Sequence, residues 1–255
     1  MSKQEQYLYG QGKVKIAMIG TDGKLGAWRW VGDVSSLKIS MSEETISHRE
    51  SYSGIKAKVR EFGYSPEAKV DAVLHSVITD NLALFTSGVA TETPAGTVTA
   101  EALPELQAGD EVVLDNPGIT DVVITDSAAS PVTVDPASYT VDQAYGTIVF
   151  NSIDSALQQP FNVAYKYVAN KQVSFLSTSK RPDVALRYEG INLAENGAPI
   201  IAEFYKCAPS LLTDLSLITD GNEVAGMPVN FGVLLDGSKP ANGALGQFGR
   251  LIQVE

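Results

Sequence analysis

Short stretches in which apolar and polar side chains alternate are the feature that most constrains the fold of this 255-residue chain. The period is two in AKVDAVLHSVI (68–78) and again in IIAEFYKC (200–207). Successive side chains of a β-strand point to opposite faces, so this period predicts strands with one buried and one mixed face. Similar runs recur at short intervals between Gly, Pro, Asn and Asp. The sequence therefore predicts an all-β, mainly antiparallel fold.

Two segments do not follow this pattern simply. In TDNLALFTSG (79–88) two apolar residues are three apart, which predicts one short helix. Thr79 or Asp80 is the expected N-cap, and Gly88 is the expected left-handed stop. The segment LLTDLSLITD (211–220) fits either one helical turn or a strand, and we favour a strand.

The charge is distributed unevenly along the chain and divides it into domains. Residues 1–90 hold 11 Lys/Arg and 10 Asp/Glu, residues 91–172 hold 2 and 11, and residues 173–255 hold 6 and 9. The balances are thus +1, −9 and −3. We predict a discontinuous β-domain, 1–90 plus 173–255, with an acidic β-sandwich of 91–172 inserted at a surface loop.

The connection MSEETISHRESYSGIKAK (41–58) is far longer than a turn between two strands requires. It carries many charged and hydroxyl side chains and few large apolar ones. Such a composition predicts a mobile polar loop. Either the loop has a partner, or it is a disordered surface connection.

No constellation for catalysis or metal binding is apparent. His48 and His75 have no second His or Cys at ligand spacing, and Cys207 is the one cysteine. A cysteine nucleophile also needs a base and an orienting group that no motif provides. We expect a protein that is not an enzyme and that has no cofactor and no metal.

Hydropathy predicts a protein that is not embedded in a membrane. No run of 18 or more apolar residues occurs, and the N-terminal sequence lacks the apolar region of a secretory signal. With no cysteine pair for an intrachain disulfide, we expect a chain made under cytosol-like conditions.

The order of segments resembles that of the major tail tube proteins of long-tailed, non-contractile bacteriophages. In the N-terminal part the resemblance lies in YLYGQGKVKIAMIGTDGKLGAWRWVGDVSSLKISMS (7–42), the loop ending in SG (53–54), and the strand and helix of 68–85. In the C-terminal part it lies in DVALRYEGINLAENGAPIIAEFYKC (183–207) and the strands that follow. The inserted segment is similar to extra β-domains that some of these proteins carry on the tube exterior.

The resemblance implies a structural virion protein that is made in the host cytoplasm and ends in the tail. Members of that family form hexameric rings whose strands join across subunits into a barrel, and the rings stack into a hollow tube. The implied partners are further copies of the chain, the tape measure protein, the tail terminator and initiator proteins, and double-stranded DNA that passes through the lumen without specific binding.

In the family, the long connection between two barrel strands contacts the adjacent ring. The resemblance therefore assigns ring stacking to polar residues of the loop and to a glycine that permits a bend. These are Glu43, Glu44, His48, Arg49, Glu50, Ser51 and Gly54.

A wall that conducts DNA should not hold phosphate through exposed cations. Most of the negative charge lies in the inserted segment, so an acidic lumen requires acids gathered on one face of the sheet. Asp71, Glu189 and Glu203 are the candidates on mixed strand faces.

A second interpretation is a β-sandwich binding module, such as a capsid decoration or a glycan-binding adhesin. It rests on the expectation that four tyrosines of the inserted segment are exposed: Tyr139, Tyr145, Tyr165 and Tyr167.

Overall fold

The computed structural model describes residues 5–221 and 224–254. The chain forms two compact units, one of Met1–Ala90 with Val173–Glu255 and the other of Thr91–Gln172. These boundaries coincide with the changes in charge along the sequence. The fold is all-β and antiparallel, as the alternation predicts, and its described residues contain one α-helix.

The first unit is built on one eight-stranded sheet. Its helix and strands are β1 (Gly10–Met18), β2 (Arg29–Trp30), β3 (Val34–Arg49), β4 (Lys58–Leu74), α1 (Thr79–Phe85) and, after the inserted unit, β13 (Val184–Asn192), β14 (Ala198–Pro209), β15 (Met227–Val233) and β16 (Gly249–Gln253). The chain crosses between the units in β5 (Val89–Thr93) and β12 (Asn170–Ser174), which pair with each other.

The strand order of the large sheet is β2-β1-β13-β14-β15-β4-β3, and β16 also pairs with β14. Strand β14 pairs with β13 along one edge. Its other edge is shared, because residues 200–204 pair with β16 and residues 207–209 pair with β15. The sheet therefore branches at β14, and β3 is the last strand of the longer branch.

The core of this unit follows the predicted alternation. Val70, Ala72 and Leu74 of β4 are buried, and so are the alternate residues of β14 and β15. The side chains between them face away from the core. Period-two patterning thus assigns the core face of these strands correctly.

The predicted short helix is present as α1 and covers part of this core, but its ends differ from the prediction. The Phe85 ring packs edge-on against Phe231 of β15, with ring centroids 5.5 Å apart. The N-cap is Ile78, without a side-chain cap bond, and Ser87 rather than Gly88 has the left-handed conformation. The predicted caps are wrong because tertiary packing, rather than capping, holds this short helix.

A buried amide joins the helix to the chain before β3. Asn81 Nδ2 donates to the backbone oxygens of Val31 and Ser76 at 2.8 and 2.9 Å. Its Oδ1 accepts from the Arg29 guanidinium at 2.6 Å. Burial lowers the pKa of Arg29, and the neighbouring Asp80 acts in the opposite direction. All hydrogen-bonding groups of the amide are thus engaged by the chain itself.

The prediction of a strand at 211–220 is wrong, since this segment is irregular. Leu212 and Leu215 pack against the core. Their spacing of three cannot place both on one face of a strand, which requires an even spacing. The apolar residues of this segment therefore cover the core without joining the sheet.

The second unit contains two three-stranded sheets around its own core. One sheet has the order β7-β10-β9 and the other β6-β11-β8. The strands are β6 (Gly96–Ala102), β7 (Glu111–Val113), β8 (Ile119–Thr125), β9 (Tyr139–Asp142), β10 (Thr147–Phe150) and β11 (Asn162–Tyr167). Phe150 and Phe161 stack in the core at 5.7 Å.

The tyrosines of this unit are mostly not exposed. Tyr165 is buried and donates to Glu101 at 2.5 Å, and burial raises the pKa of Tyr165 to about 12. Tyr139 and Tyr167 pack partly against the same core, and Tyr145 alone of the four is largely exposed. The expectation of four exposed tyrosines is wrong, because three lie on the core-facing positions of strands.

Candidate functional site

The most distinctive feature of the first unit is a two-stranded arm formed by the ends of β3 and β4. These strands have 16 and 17 residues, but β15 pairs with β4 only over residues 68–74. We call residues 42–67 the arm. All side chains of its two strand segments, 42–49 and 58–67, are exposed.

The arm overturns the prediction of a polar loop at 41–58. Glu43, Glu44, His48 and Arg49 lie in β3, and only the short tip between β3 and β4 is a turn. The reason is the cross-strand ladder, in which Ile46 stands opposite Phe62. The low apolar content of 41–58 indicates a loop, but most of the residues that pair with it lie at 60–67, beyond this segment.

A bulge sets the direction of the arm where it leaves the sheet. Ser42 pairs with Glu67 and Glu44 with Tyr64, so β4 holds one extra residue, and Ser65 has a positive φ of 53°. Such a bulge bends a hairpin and increases its twist. Beside it, the Glu43 carboxylate occupies the space that a β-carbon at Gly63 would need.

One face of the arm carries an apolar stripe, which we define as Ile46, Phe62 and Tyr64. Their exposed fractions are 57%, 47% and 45%. The Arg60 guanidinium lies 4.9 Å from the centroid of the Phe62 ring. A hydrogen bond with Glu44 raises the pKa of Tyr64. Charged groups thus border the stripe but leave its rings accessible.

The other face of the arm is mainly polar, although Val59, which is 53% exposed, adds one apolar side chain to it. Lys58 Nζ lies 2.5 Å from Glu61, and the hydrogen bond from this ammonium lowers the pKa of the Glu61 carboxyl. Ser47 Oγ also donates to Glu61 at 3.4 Å. An arm with one apolar and one polar face has a defined side on which a partner can dock.

The tip of the arm is built around Glu50. Its carboxylate accepts hydrogen bonds from the Ser53 hydroxyl and from the backbone N–H groups of Tyr52, Ser53 and Ala57, at 2.8, 2.9 and 3.0 Å for the three N–H groups. These bonds, led by that of the Ser53 hydroxyl, lower the pKa of Glu50 to about 2. With 5% exposure, Glu50 anchors the turn, so its carboxylate is not free for the ring-stacking contact that the resemblance implies.

The remaining predicted arm residues are on the surface. Ser51 and Gly54 are exposed at the tip, where Gly54 has a φ of 84° that suits glycine. His48 stands opposite Arg60 in the ladder, and the Arg49 guanidinium donates to the backbone oxygen of Lys56 at 3.2 Å. Sequence reasoning missed the stripe. The sequence signal for the stripe is the alternation of side chains in 60–64, with Phe62 and Tyr64 two residues apart, together with a similar alternation around Ile46 in 44–48.

The three acids predicted to line a lumen lie on the non-core side of the sheet, each between core-facing neighbours. Two of them belong to an ion-pair network across four strands. Glu189 contacts Lys15 at 2.5 Å and Arg187 at 2.7 Å. Glu203 contacts Arg187 and, at 2.6 Å, Arg250. The ammonium of Lys15, and then Arg187, lowers the pKa of Glu189.

The third acid, Asp71, stands opposite Lys38 in the ladder and accepts from Ser40 Oγ at 3.4 Å. Glu189 and Glu203 are therefore neutralised by ion pairs, whereas Asp71 stands opposite Lys38 without an ion pair to it. Arg187 lies two residues before Glu189 on the same strand, but Lys15 and Arg250 come from other strands, and the sequence gives no sign of those two contacts.

Cysteine and metal chemistry find no support in the described residues. Burial raises the pKa of Cys207 to about 12, so its thiol is protonated at neutral pH. Residues 5–221 and 224–254 contain no cluster of three or more His, Cys, Asp or Glu that could hold a metal ion. In the same ranges no helix is long and apolar enough to cross a membrane.

Fold and site together define an all-β chain with an inserted β-sandwich and an exposed, two-faced hairpin arm. Residues 7–252 match the family described as "Protein of unknown function UCP028589", and the chain belongs to that family. No curated protein matches the sequence.

Proposed function

We propose that this chain is a self-assembling structural protein of a bacteriophage tail, in which hexameric rings stack into the hollow tube of a non-contractile tail. The observation that carries the proposal is the arm. A two-stranded hairpin alone is marginally stable in water, and here it also exposes an apolar stripe. A partner that covers the stripe removes this apolar surface from water, which stabilises the complex and also holds the two strands of the arm together.

The strand edges of the first unit support the same proposal. Strand β3 ends the sheet order and is 16 residues long, and among the described strands β16 pairs with β14 alone. Long unpaired edges invite pairing with another chain, and closure into a barrel removes them. In a ring whose sheet continues from one subunit to the next, the backbone groups at these edges form hydrogen bonds with the neighbouring copy.

In this proposal the tube houses the tape measure protein, binds terminator and initiator proteins at its ends, and conducts double-stranded DNA. Affinity for DNA arises mainly from cations that contact phosphates. Arg187 and Arg250 are paired with Glu203, and Lys15 with Glu189. If this side of the sheet faces the lumen, these cations are kept from binding DNA phosphates by their ion pairs with Glu189 and Glu203, and no excess of negative charge is needed. The acidic second unit then belongs on the exterior.

The test is electron microscopy of the purified full-length chain over a range of concentrations. We expect rings or hollow tubes of uniform width. A variant in which residues 45–63 are replaced by Asn-Gly keeps the pair Glu44–Tyr64 next to a two-residue turn. We expect this variant to fold and to remain unassembled.

The matched control is Val113→Asp, at a side chain of the second unit that is 71% exposed. It should assemble as the unmodified chain does. Unassembled protein at all concentrations, even with tail initiator proteins present, contradicts the proposal. Undiminished tubes from the arm-shortened variant contradict the role of the arm.

The alternative of a glycan-binding or decorating module has lost its main support. It required a platform of exposed aromatic rings on the second unit, whereas only Tyr145 of the four tyrosines is largely exposed. A glycan array with the full-length chain remains its direct test.

A further inference from the structure

The core of the first unit is open to solvent at one side. A cavity of about 800 Å³ reaches from the rim to the inner faces of the sheet. We call it the cleft, and its apolar lining includes Leu8, Tyr9, Ile39, Tyr188, Ile200 and Leu251. Ile39 and Leu251 are 44% and 58% exposed, although both are large and apolar.

The rim of the cleft is held in place by a specific set of hydrogen bonds. The buried Asn192 side chain accepts from the Tyr9 backbone N–H at 2.9 Å and donates to the Tyr7 oxygen at 2.7 Å. Leu193 N–H donates to the Tyr9 oxygen at 2.8 Å. These bonds fix the backbone on both sides of Leu8, yet the Leu8 side chain is 69% exposed. An apolar rim that is ordered before binding reduces the entropy lost on association.

The arm of the same chain cannot fill the cleft. Ile39 lines the cleft and Ile46 lies in the stripe, and both belong to the continuous strand β3. Seven residues of strand span about 23 Å at about 3.3 Å per residue. The two apolar surfaces therefore become partners only between different copies of the chain.

We infer that the cleft of one copy receives the apolar stripe of the arm of another copy. This inference deepens the proposed function, on which it rests, because it names the surface that the arm contacts. From typical areas for large side chains, the exposed part of the stripe amounts to about 300 Å². That is the size of the largest apolar patch on many monomers, and such patches mark interaction sites.

The charges beside the two surfaces are complementary. The distal arm carries four cations, Arg49, Lys56, Lys58 and Arg60. Residues 49–61 also hold two acids, of which Glu50 holds the turn and Glu61 pairs with Lys58, so this end of the arm has a net charge of +2. The other acids of the arm, Glu43, Glu44 and Glu67, lie nearer the sheet. Among the described residues that line the cleft, the one charged side chain is Asp33. Glu195 adds a second acid beside the rim, where it accepts from Tyr7 N–H at 3.0 Å.

The contact is head-to-tail, because each copy offers one stripe and one cleft on different elements. Head-to-tail contacts propagate into rings or filaments. If one surface is disabled in each of two variants, one working contact remains in the mixture. At concentrations at which neither variant assembles alone, and the sheet edges therefore do not hold copies together, that contact can join two molecules and then stops.

This property gives the test. The stripe variant is Phe62→Asp, the cleft variant combines Leu8→Asp with Leu251→Asp, and all three side chains are partly or largely exposed, so we expect both variants to fold. Thermal unfolding checks folding, and sedimentation velocity measures assembly. We expect an increase of at least tenfold in the concentration at which each variant alone assembles. An equimolar mixture should form a 1:1 dimer.

The outcomes separate the inference from the proposed function. If the cleft variant assembles as the unmodified chain does while the arm-shortened variant stays monomeric, the cleft is not the surface that the arm contacts, and the role of the arm in assembly still stands. If the mixture yields no dimer, the head-to-tail pairing is wrong. If the unmodified chain never associates, both the contact between stripe and cleft and the proposed function are contradicted.

A cross-link gives a second, independent readout. Phe62→Cys and Leu251→Cys, each made in a separate chain and mixed with oxidised glutathione, should give a disulfide-linked heterodimer faster than Val113→Cys with Leu251→Cys. Cys207 is buried with a raised pKa and is not expected to compete. Equal rates for the two mixtures contradict the contact.

Discussion

Replacing Phe62 by serine isolates the contribution of the stripe to assembly. The ring is 47% exposed, which corresponds to about 100 Å² of apolar surface for a side chain of this size. At about 25 cal/mol per Å², covering this surface contributes about 2.5 kcal/mol to each contact between copies. Since about 1.4 kcal/mol is a factor of ten, we expect each contact to weaken by about 60-fold.

The assay is light scattering as a function of protein concentration, and the concentration at which scattering rises sharply marks the onset of assembly. Sedimentation of the same samples measures the assembled fraction independently. The Phe62 side chain lies on the arm and not in the core, so the free energy of unfolding should change by less than about 0.5 kcal/mol. Val113→Ser on the second unit, where the side chain is 71% exposed, is the control for loss of exposed apolar surface. The reasoning is refuted if Phe62→Ser and the control assemble at the same concentration.

Three further predictions concern the first unit. Asn81→Ala removes two donated hydrogen bonds and leaves Arg29 without its side-chain acceptor. We therefore expect the free energy of unfolding of the first unit to fall by about 2–4 kcal/mol in urea denaturation, while the transition of the second unit stays unchanged. The pKa of Glu50 is lowered to about 2, so the turn contribution of its carboxylate is complete above the ordinary pKa of about 4.3 and is lost as the pH falls towards 2. The NMR shift of the Ser53 amide proton should titrate with a midpoint near 2, and a midpoint near the ordinary value, or the same titration in Glu50→Gln, contradicts the turn anchor. Gly63→Val places a β-carbon where the Glu43 carboxylate lies, and because this carboxylate ends a flexible, exposed side chain we expect it to move aside, so that NMR spectra keep the cross-strand contacts of the arm; loss of these contacts contradicts the prediction.

Local patterning was sufficient for the strands and for the core face of most of them. The alternation correctly assigned Val70, Ala72 and Leu74 of β4 and Ile200, Ala202 and Phe204 of β14 to the core, whereas Cys207 is buried out of phase because the register shifts between Phe204 and Cys207. The short helix at Thr79–Phe85 was also correct, although its predicted caps were not. These features depend on side chains that are close in sequence, so a local pattern contains the required information.

The arm shows where a local pattern is insufficient. The composition of 41–58 indicated a loop because the residues that pair with it, up to Glu67, lie beyond that stretch. Likewise, Glu50 was counted as a free polar side chain because the sequence does not reveal that four hydrogen-bond donors surround its carboxylate.

The sequence by itself determined the all-β class, the change in charge at residues 91 and 173, and which side of a strand faces the core. Only the tertiary structure decided that the polar connection is a paired arm, that Glu203 is neutralised by arginines from two other strands, and that the core remains open beside Leu8. The physical reason is the range of the interactions. Alternation records the burial of each side chain, whereas pairing, charge neutralisation and cavities depend on cross-strand register between residues far apart in the chain.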